Sequence, residues 1–283
     1  MGTGSETMTP SDSLVVQNLS FSYMMKEVIS NVSFSLPKGA RCLLVGENGA
    51  GKSTLLKLLA GKNMVPREAI QVLGTAPFFD TSLNTRISYL GGNWVRDVAF
   101  AGYGVAYQGD FPVSQMIAGT SVPDEARLKK LIEVLGVDLG WRMHTVSEGQ
   151  RRRVQLLLGL LYPYEVLYLD EITTDLDVVA RQDLLQFLWE ESEHRGVTIV
   201  YATHIFDGMQ AWASHVVHMA YGKVLRFGSA ESLISETEKI LDAEEARERA
   251  EKGSAAIEEA GWIRKSWMNP LVRVVSHWIR SSK

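Results

Sequence analysis

Gly46-Glu47-Asn48-Gly49-Ala50-Gly51-Lys52-Ser53-Thr54 is the stretch on which the reading of this chain turns. It follows the apolar run Cys42-Leu43-Leu44-Val45 and leads into Leu55-Leu56-Lys57-Leu58-Leu59, so the order is buried strand, glycine loop, helix. In that context G-x-x-x-x-G-K-[ST] marks a phosphate-binding loop rather than a chance glycine turn ahead of a lysine. Glycines let successive backbone N–H groups turn inward around phosphate oxygens, and the helix N-terminus adds its partial positive charge. Gly46, Glu47, Asn48, Gly49, Ala50, Gly51, Lys52, Ser53 and Thr54 are therefore the candidate nucleotide contacts. Lys52 is expected to face solvent in the free protein and to reach the β- and γ-phosphates of a nucleotide, while the Ser53 hydroxyl takes one position on Mg2+.

The rest of the composition sets bounds. A chain of 283 residues, 46% apolar and 22% charged, can bury a full core as one large or two modest domains. A formal net charge of −4 supplies no general electrostatic reason to bind nucleic acid directly. The one cysteine, Cys42, cannot form an intrachain disulfide and reads as a small core residue in a reducing compartment. Residues 1–13 carry Glu6 and Asp12, no Lys or Arg and no apolar core; they lack targeting character and are expected to be disordered. Gly2 invites myristoylation, but Glu6 stands where that pattern needs Ser or Thr. No stretch approaches the roughly 20 uncharged apolar residues that span a bilayer, since the most apolar window, residues 154–169, is broken by Pro163 and Glu165. The expectation is a soluble, cytoplasmic protein, with peripheral membrane or nuclear placement left open.

Upstream of the loop, Val32-Ser33-Phe34-Ser35-Leu36 alternates as a half-buried strand, and Pro37-Lys38-Gly39 turns the chain into the next one. Phe21-Ser22-Tyr23 offers an aromatic ring that either stacks on a base or packs into the sheet; spacing does not choose between them. Downstream, Ile87-Ser88-Tyr89-Leu90 reads as a strand, and residues 121–136 turn helical with Leu128, Leu131, Ile132 and Leu135 on one stripe. Ser147-Glu148-Gly149-Gln150 opens another helix with a capping box: either simply a well-capped helix or a second phosphate site.

Val166-Leu167-Tyr168-Leu169 is a continuous apolar run, as a strand buried on both faces of a parallel sheet requires, and it ends in Asp170-Glu171. Two adjacent carboxylates at a strand's C-terminal end lie where open α/β sheets bind ligands. Asp170 is the natural Mg2+ partner and Glu171 is placed to polarise a water. A helix over about residues 178–194, closed by Gly196, precedes Val197-Thr198-Ile199-Val200-Tyr201, which delivers Thr203-His204 to the same edge. Of six histidines, His204 combines a strand end with the ligand side; His215 and His218 read as structural, and His144 and His194 as loop or surface residues. Residues 216–227 read as a hairpin turning at Tyr221-Gly222.

Taken together these motifs resemble the nucleotide-binding domain of an ABC-type ATPase over residues 14–235: phosphate loop, Val146-Ser147-Glu148-Gly149-Gln150 as the signature, Leu169-Asp170-Glu171 as Walker B and His204 as the switch histidine, in the family's order. The resemblance implies an α/β fold: a P-loop NTPase core of mainly parallel strands, an antiparallel β subdomain and a helical signature subdomain around residues 110–160. It also implies ATP with Mg2+ as ligands, Ser53 and Asp170 on the metal, and catalysis by Lys52, Glu171 and His204. Tyr23 would stack on adenine. Ser147, Gly149 and Gln150 would contact nucleotide held by a second ABC subunit, identical or paralogous, across a loop resembling Thr174-Asp175-Leu176-Asp177.

Three departures stand out. Glu148 occupies a position where the family has glycine, Ile172 replaces the proline after the catalytic glutamate, and the glutamine expected after Leu90-Gly91-Gly92 is displaced, with Asn93 and Gln108 as the nearby amides. Tyr-Leu-Gly-Gly-Asn-Trp, Ser-Glu-Gly-Gln-Arg-Arg-Arg and Asp-Glu-Ile-Thr-Thr-Asp-Leu-Asp are similar to a narrower group, the stand-alone soluble plant subfamily I proteins and the yeast ATPase associated with the CCR–NOT complex. That group implies a regulatory switch on an intracellular protein complex; the alternative is the ATPase subunit of a transporter whose spans lie on a separate chain. A DNA-organising ATPase is disfavoured because no long coiled-coil insertion separates the motifs.

Residues 236–283 are expected to form a helical C-terminal extension. From Glu231 to Glu259 there are ten acidic and four basic residues; after Gly261 come Arg264, Lys265, Arg273, Arg280 and Lys283 with no acid. Asn269-Pro270 supplies a cap and a favourable first helical residue, and Leu271, Val274, Val275, Trp278 and Ile279 form one stripe. That stripe packs on its own domain, in a partner's groove, or on an anionic membrane.

Overall fold

A computed structural model of the chain describes residues 12–91, 112–120, 122, 124–252 and 269–282. Asn93, Gln108 and residues 1–11 lie outside the described residues. The alternating N-terminal segments form β1 (Asp12–Tyr23) and β2 (Lys26–Pro37), paired antiparallel, with β4 (Ile70–Val72) on the other side of β1. Val32, Phe34 and Leu36 point inward from β2, as the period of two dictates.

Among the described residues the second sheet has six strands, in the order β5-β6-β7-β3-β8-β9. β3 (Arg41–Gly46), β5 (Ile87–Leu90), β6 (Val166–Asp170), β7 (Thr198–Ala202) and β8 (His215–Ala220) run parallel, and β9 (Lys223–Ser229) closes one edge antiparallel. Every residue of β6 and β7 is buried, which is why those runs are unbroken by exposed polar residues. The β8–β9 turn falls at Tyr221-Gly222, with φ of 52° and 75°, the doubly left-handed backbone that a tight hairpin favours. Register sets Leu44 of β3 and Asp170 of β6 level with Ala202 of β7, so the phosphate loop, the carboxylate pair and His204 all leave the sheet at one edge.

The helices are α1 (Lys52–Leu59), α2 (Val113–Ala118), α3 (Glu125–Leu135), α4 (Glu148–Leu160), α5 (Val178–Arg195), α6 (Met209–Trp212), α7 (Ala230–Lys252) and α8 (Pro270–Ser281). α3 begins later than position 121. Pro123 disfavours helical backbone before it, and Asp124 caps the helix by accepting from the N–H groups of Ala126 and Arg127 at 2.9 and 3.1 Å. α3 is tied to α5 by a buried two-pronged pair, Arg127 to Glu191, at 2.9 and 2.8 Å.

Two apolar clusters flank the sheet. One joins the antiparallel layer and α1 to Tyr168 and Val200; the other joins Leu43, Val45, Leu169 and Tyr201 to α4, α5 and α8. α8 thus belongs to the main core: Leu271, Val274, Val275 and Trp278 are fully buried, and Trp278 Nε1 donates to Thr237 Oγ1 of α7 at 3.0 Å. The 235/236 boundary falls inside α7. Among the described residues, no helix is long and apolar enough to cross a membrane.

Candidate active site

The phosphate loop leaves β3 through Gly46, where a Cβ would stand 2.2 Å from the Met219 carbonyl oxygen, a gap that only glycine fits. It enters α1 through Gly51, whose φ of 103° likewise suits glycine and sets the first helical N–H groups toward the loop's interior. Lys52 is not solvent-facing as its sequence context suggested. It is buried, and its ammonium donates to the carbonyl oxygens of Gly46 and Glu47 at 2.8 and 3.0 Å. The tight loop brings those two carbonyls within reach, so the cation satisfies two of its three donors on its own backbone. Burial lowers the Lys52 pKa, against the opposing pull of Glu171 and Asp170.

Ser53 Oγ donates to Asp170 Oδ1 at 3.0 Å, joining the helix start to the end of β6. A hydroxyl beside a carboxylate is a hard-oxygen donor pair of the kind Mg2+ takes together with substrate phosphates. The second oxygen of Asp170 accepts from the Tyr89 hydroxyl at 3.2 Å. Tyr89 carried no site assignment in the sequence; its part follows from β5 lying beside β6, a neighbour relation that no local pattern encodes.

Glu171 follows at φ 52°, an uncommon backbone for a residue with a side chain and one that costs on the order of 1–3 kcal/mol. Its N–H is held by the Ala202 carbonyl oxygen at 2.9 Å, and its Oε1 lies 2.7 Å from His204 Nε2. The kink therefore turns the carboxylate across the end of β7 instead of along its own strand.

The signature segment folds as its capping box requires. Ser147 Oγ accepts from the Gln150 N–H at 3.2 Å, and the Ser147 N–H donates to Gln150 Oε1 at 2.9 Å. Glu148 is exposed and pairs with Arg151 at 3.0 Å. A Cβ on Gly149 would approach the Asp175 carbonyl oxygen to 2.8 Å, so glycine lets loop 174–177 press against α4. The same loop is fastened by Asp175 to Arg152 at 3.3 Å and by Asp177, which caps α5 through the Ala180 N–H at 2.9 Å and pairs with Arg153.

A protein-family model described as ABC transporter matches residues 29–174. The chain is 48% identical over 242 residues to ABC transporter I family member 20 of Arabidopsis thaliana, covering 85% of this chain and 70% of the relative. The chain belongs to the ABC transporter family. It is an ABC-type ATPase. It is also 39% identical over 227 residues to CCR4-associated factor 16 of Saccharomyces cerevisiae, covering 74% and 76% of the two chains. Its fold matches an ATP-binding cassette solved as a dimer with ADP and Pi, at a TM-score of 0.60 and 16% identity, over 77% of this chain and 98% of that one.

In this ABC ATPase the motifs divide into two groups. Gly46, Glu47, Asn48 and His204 line one shallow, open cleft of about 370 Å³, which Ile279 of α8 also borders. Tyr23, Ser147, Gly149 and Gln150 do not line it. Tyr23 ends β1 beside the hairpin turn, 43% exposed and edge-on to Phe21 with ring centroids 4.9 Å apart. The signature helix α4 packs beside β5, three strand positions from β3, or about 14 Å at ordinary strand spacing.

Proposed function

We propose that the protein hydrolyses Mg-ATP at the β3/β6/β7 edge, within a dimer in which each signature helix completes the site of the other copy, and that this cycle switches an intracellular protein complex. The observation that carries the catalytic part is the Glu171–His204 contact at 2.7 Å, formed next to Asp170 and the phosphate loop. Lys52 exchanges its two loop carbonyls for β- and γ-phosphate oxygens, Glu171 orients the attacking water, and His204 holds Glu171 in place and touches the γ-phosphate. Mg2+, held by Ser53 and Asp170, would neutralise charge on the phosphates as the γ-bond breaks. Thr54 and the loop amides from Gly46 to Gly51 cradle the phosphates, and Tyr23 supplies the adenine face.

A second copy is needed because one chain separates its signature from its phosphate loop, and a cassette of the same fold is itself a dimer. The switch reading draws on the likeness to CCR4-associated factor 16. The second reading, the ATPase subunit of a transporter with spans on a separate chain, draws on the name of the Arabidopsis relative.

Glu171→Gln tests the chemistry. Phosphate release should fall by roughly 100-fold or more, and Mg-ATP should drive the variant into a dimer on size-exclusion chromatography more fully than wild type. Unimpaired hydrolysis would remove Glu171 from the catalytic role. Affinity purification from cytosolic and detergent-extracted membrane fractions separates the two biological readings: co-purifying membrane-spanning chains would mark a transporter.

A further inference from the structure

The wall that Ile279 adds to the cleft comes from outside the residues the family model matches, 29–174. α8 is held there firmly. Asn269 caps it by accepting from the Leu271 N–H at 2.9 Å and donates to the Phe206 carbonyl oxygen, just beyond His204, at 3.5 Å. Trp278 stacks on His218 with centroids 5.4 Å apart, and Arg273 pairs with Asp242 of α7 at 2.9 Å. With four side chains fully buried on its inner face, α8 is a fixed part of the core and not a flap. Ile279 follows Trp278 around the helix, packs half-buried against the edge of the core and stands beside Gly46, Glu47, Asn48 and His204.

We infer that Ile279 borders the γ-phosphate end of the nucleotide site, so that position 279 on α8 bears on a nucleoside triphosphate and not on a diphosphate. The inference rests on the nucleotide reading given above. The end of the site is identified by His204, which shares the cleft with Ile279 and holds Glu171 at 2.7 Å, the group placed to direct water at the γ-phosphate. Tyr23, the adenine candidate, is not on this cleft. An apolar side chain there adds no charge of its own beside the terminal phosphate. Placing a charge at position 279 should then act on ATP and not on ADP, because only ATP extends to that wall.

The test measures affinities of the wild type, Ile279→Glu, Ile279→Lys and Ile279→Gln for ADP and for a non-hydrolysable ATP analogue with Mg2+, by titration calorimetry, with thermal melts alongside. The ratio of triphosphate to diphosphate affinity should fall about five- to tenfold in Ile279→Glu and rise in Ile279→Lys, as expected for unit charges several ångströms apart in a partly solvated cleft. It should stay level in Ile279→Gln, and the charge effects should shrink with added salt. A ratio unchanged in the charged variants, or an equal loss for both nucleotides, overturns the inference; should one charged variant fail to fold, the other decides. If the wild type binds neither nucleotide, or Lys52→Ala binds both as well as wild type, the nucleotide reading itself fails, which is a separate result.

Discussion

Glu171 and His204 meet at 2.7 Å although they end different strands, β6 and β7, and the left-handed backbone at Glu171 is what turns one toward the other. Both side chains are more than one-third exposed, so the contact contributes little to the stability of the fold. Under the proposed function its part is to orient Glu171 for hydrolysis.

His204→Ala should therefore leave the fold intact while slowing ATP hydrolysis at least tenfold. ATP affinity should change much less than turnover. Phosphate release and nucleotide titration on the same preparation would check this; an equal loss in both would mean that His204 mainly binds substrate.

Glu148→Gly concerns the signature helix. The carboxylate favours the helix's positive end, and glycine in a first turn loses helix propensity, so the monomer should be destabilised by about 1 kcal/mol. In a dimer the same carboxylate would oppose an arriving γ-phosphate, although its pairing with Arg151 already offsets part of that charge. Sedimentation velocity in Mg-ATP should show tighter dimerisation of the variant at low salt, converging with wild type as salt rises. Equal dimerisation at low salt would make Glu148 only a cap residue.

Trp278→Ala removes a fully buried ring that bonds α7 and stacks on β8. Such truncations cost about 3–5 kcal/mol. Because α8 shares the core of β3 and β8, the loss should appear as one downward shift of a single unfolding transition. A separate early transition, with the remainder unfolding as in wild type, would mean that α8 is a detachable appendage.

His218 sits fully buried under that ring, and burial, with Arg226 beside it, pulls its pKa down from 6.5 to about 4. The unfolded chain binds the proton first, so between those values it holds more protons than the folded state, and stability falls as pH drops through that window. Above about pH 6.5 the contribution is complete. His218→Gln should flatten this part of the stability–pH profile relative to wild type, measured by denaturant unfolding at several pH values; parallel profiles would clear His218 of the effect.

The features readable in the sequence are those that a few neighbouring residues dictate. A glycine loop between a buried strand and a helix, a Ser147–Gln150 capping box and a doubly acidic strand end are local geometries, and each is present at the residues that carry it. The pairing of Glu148 with Arg151 is equally local, one helical turn apart on α4.

What only the tertiary structure decided involves partners brought from elsewhere in the chain. That Tyr89 donates to Asp170 depends on β5 being the neighbour of β6, and strand order is settled by how the whole sheet buries its faces. Lys52 turned inward because the folded loop brought two carbonyls within reach, which composition does not reveal. The stripe on α8 announced an apolar face that needed cover, yet a hydrophobic surface has no address: burial is favourable against any well-fitting apolar neighbour. Packing chose β3, β8 and α7, and so carried Ile279 to the rim of the phosphate loop.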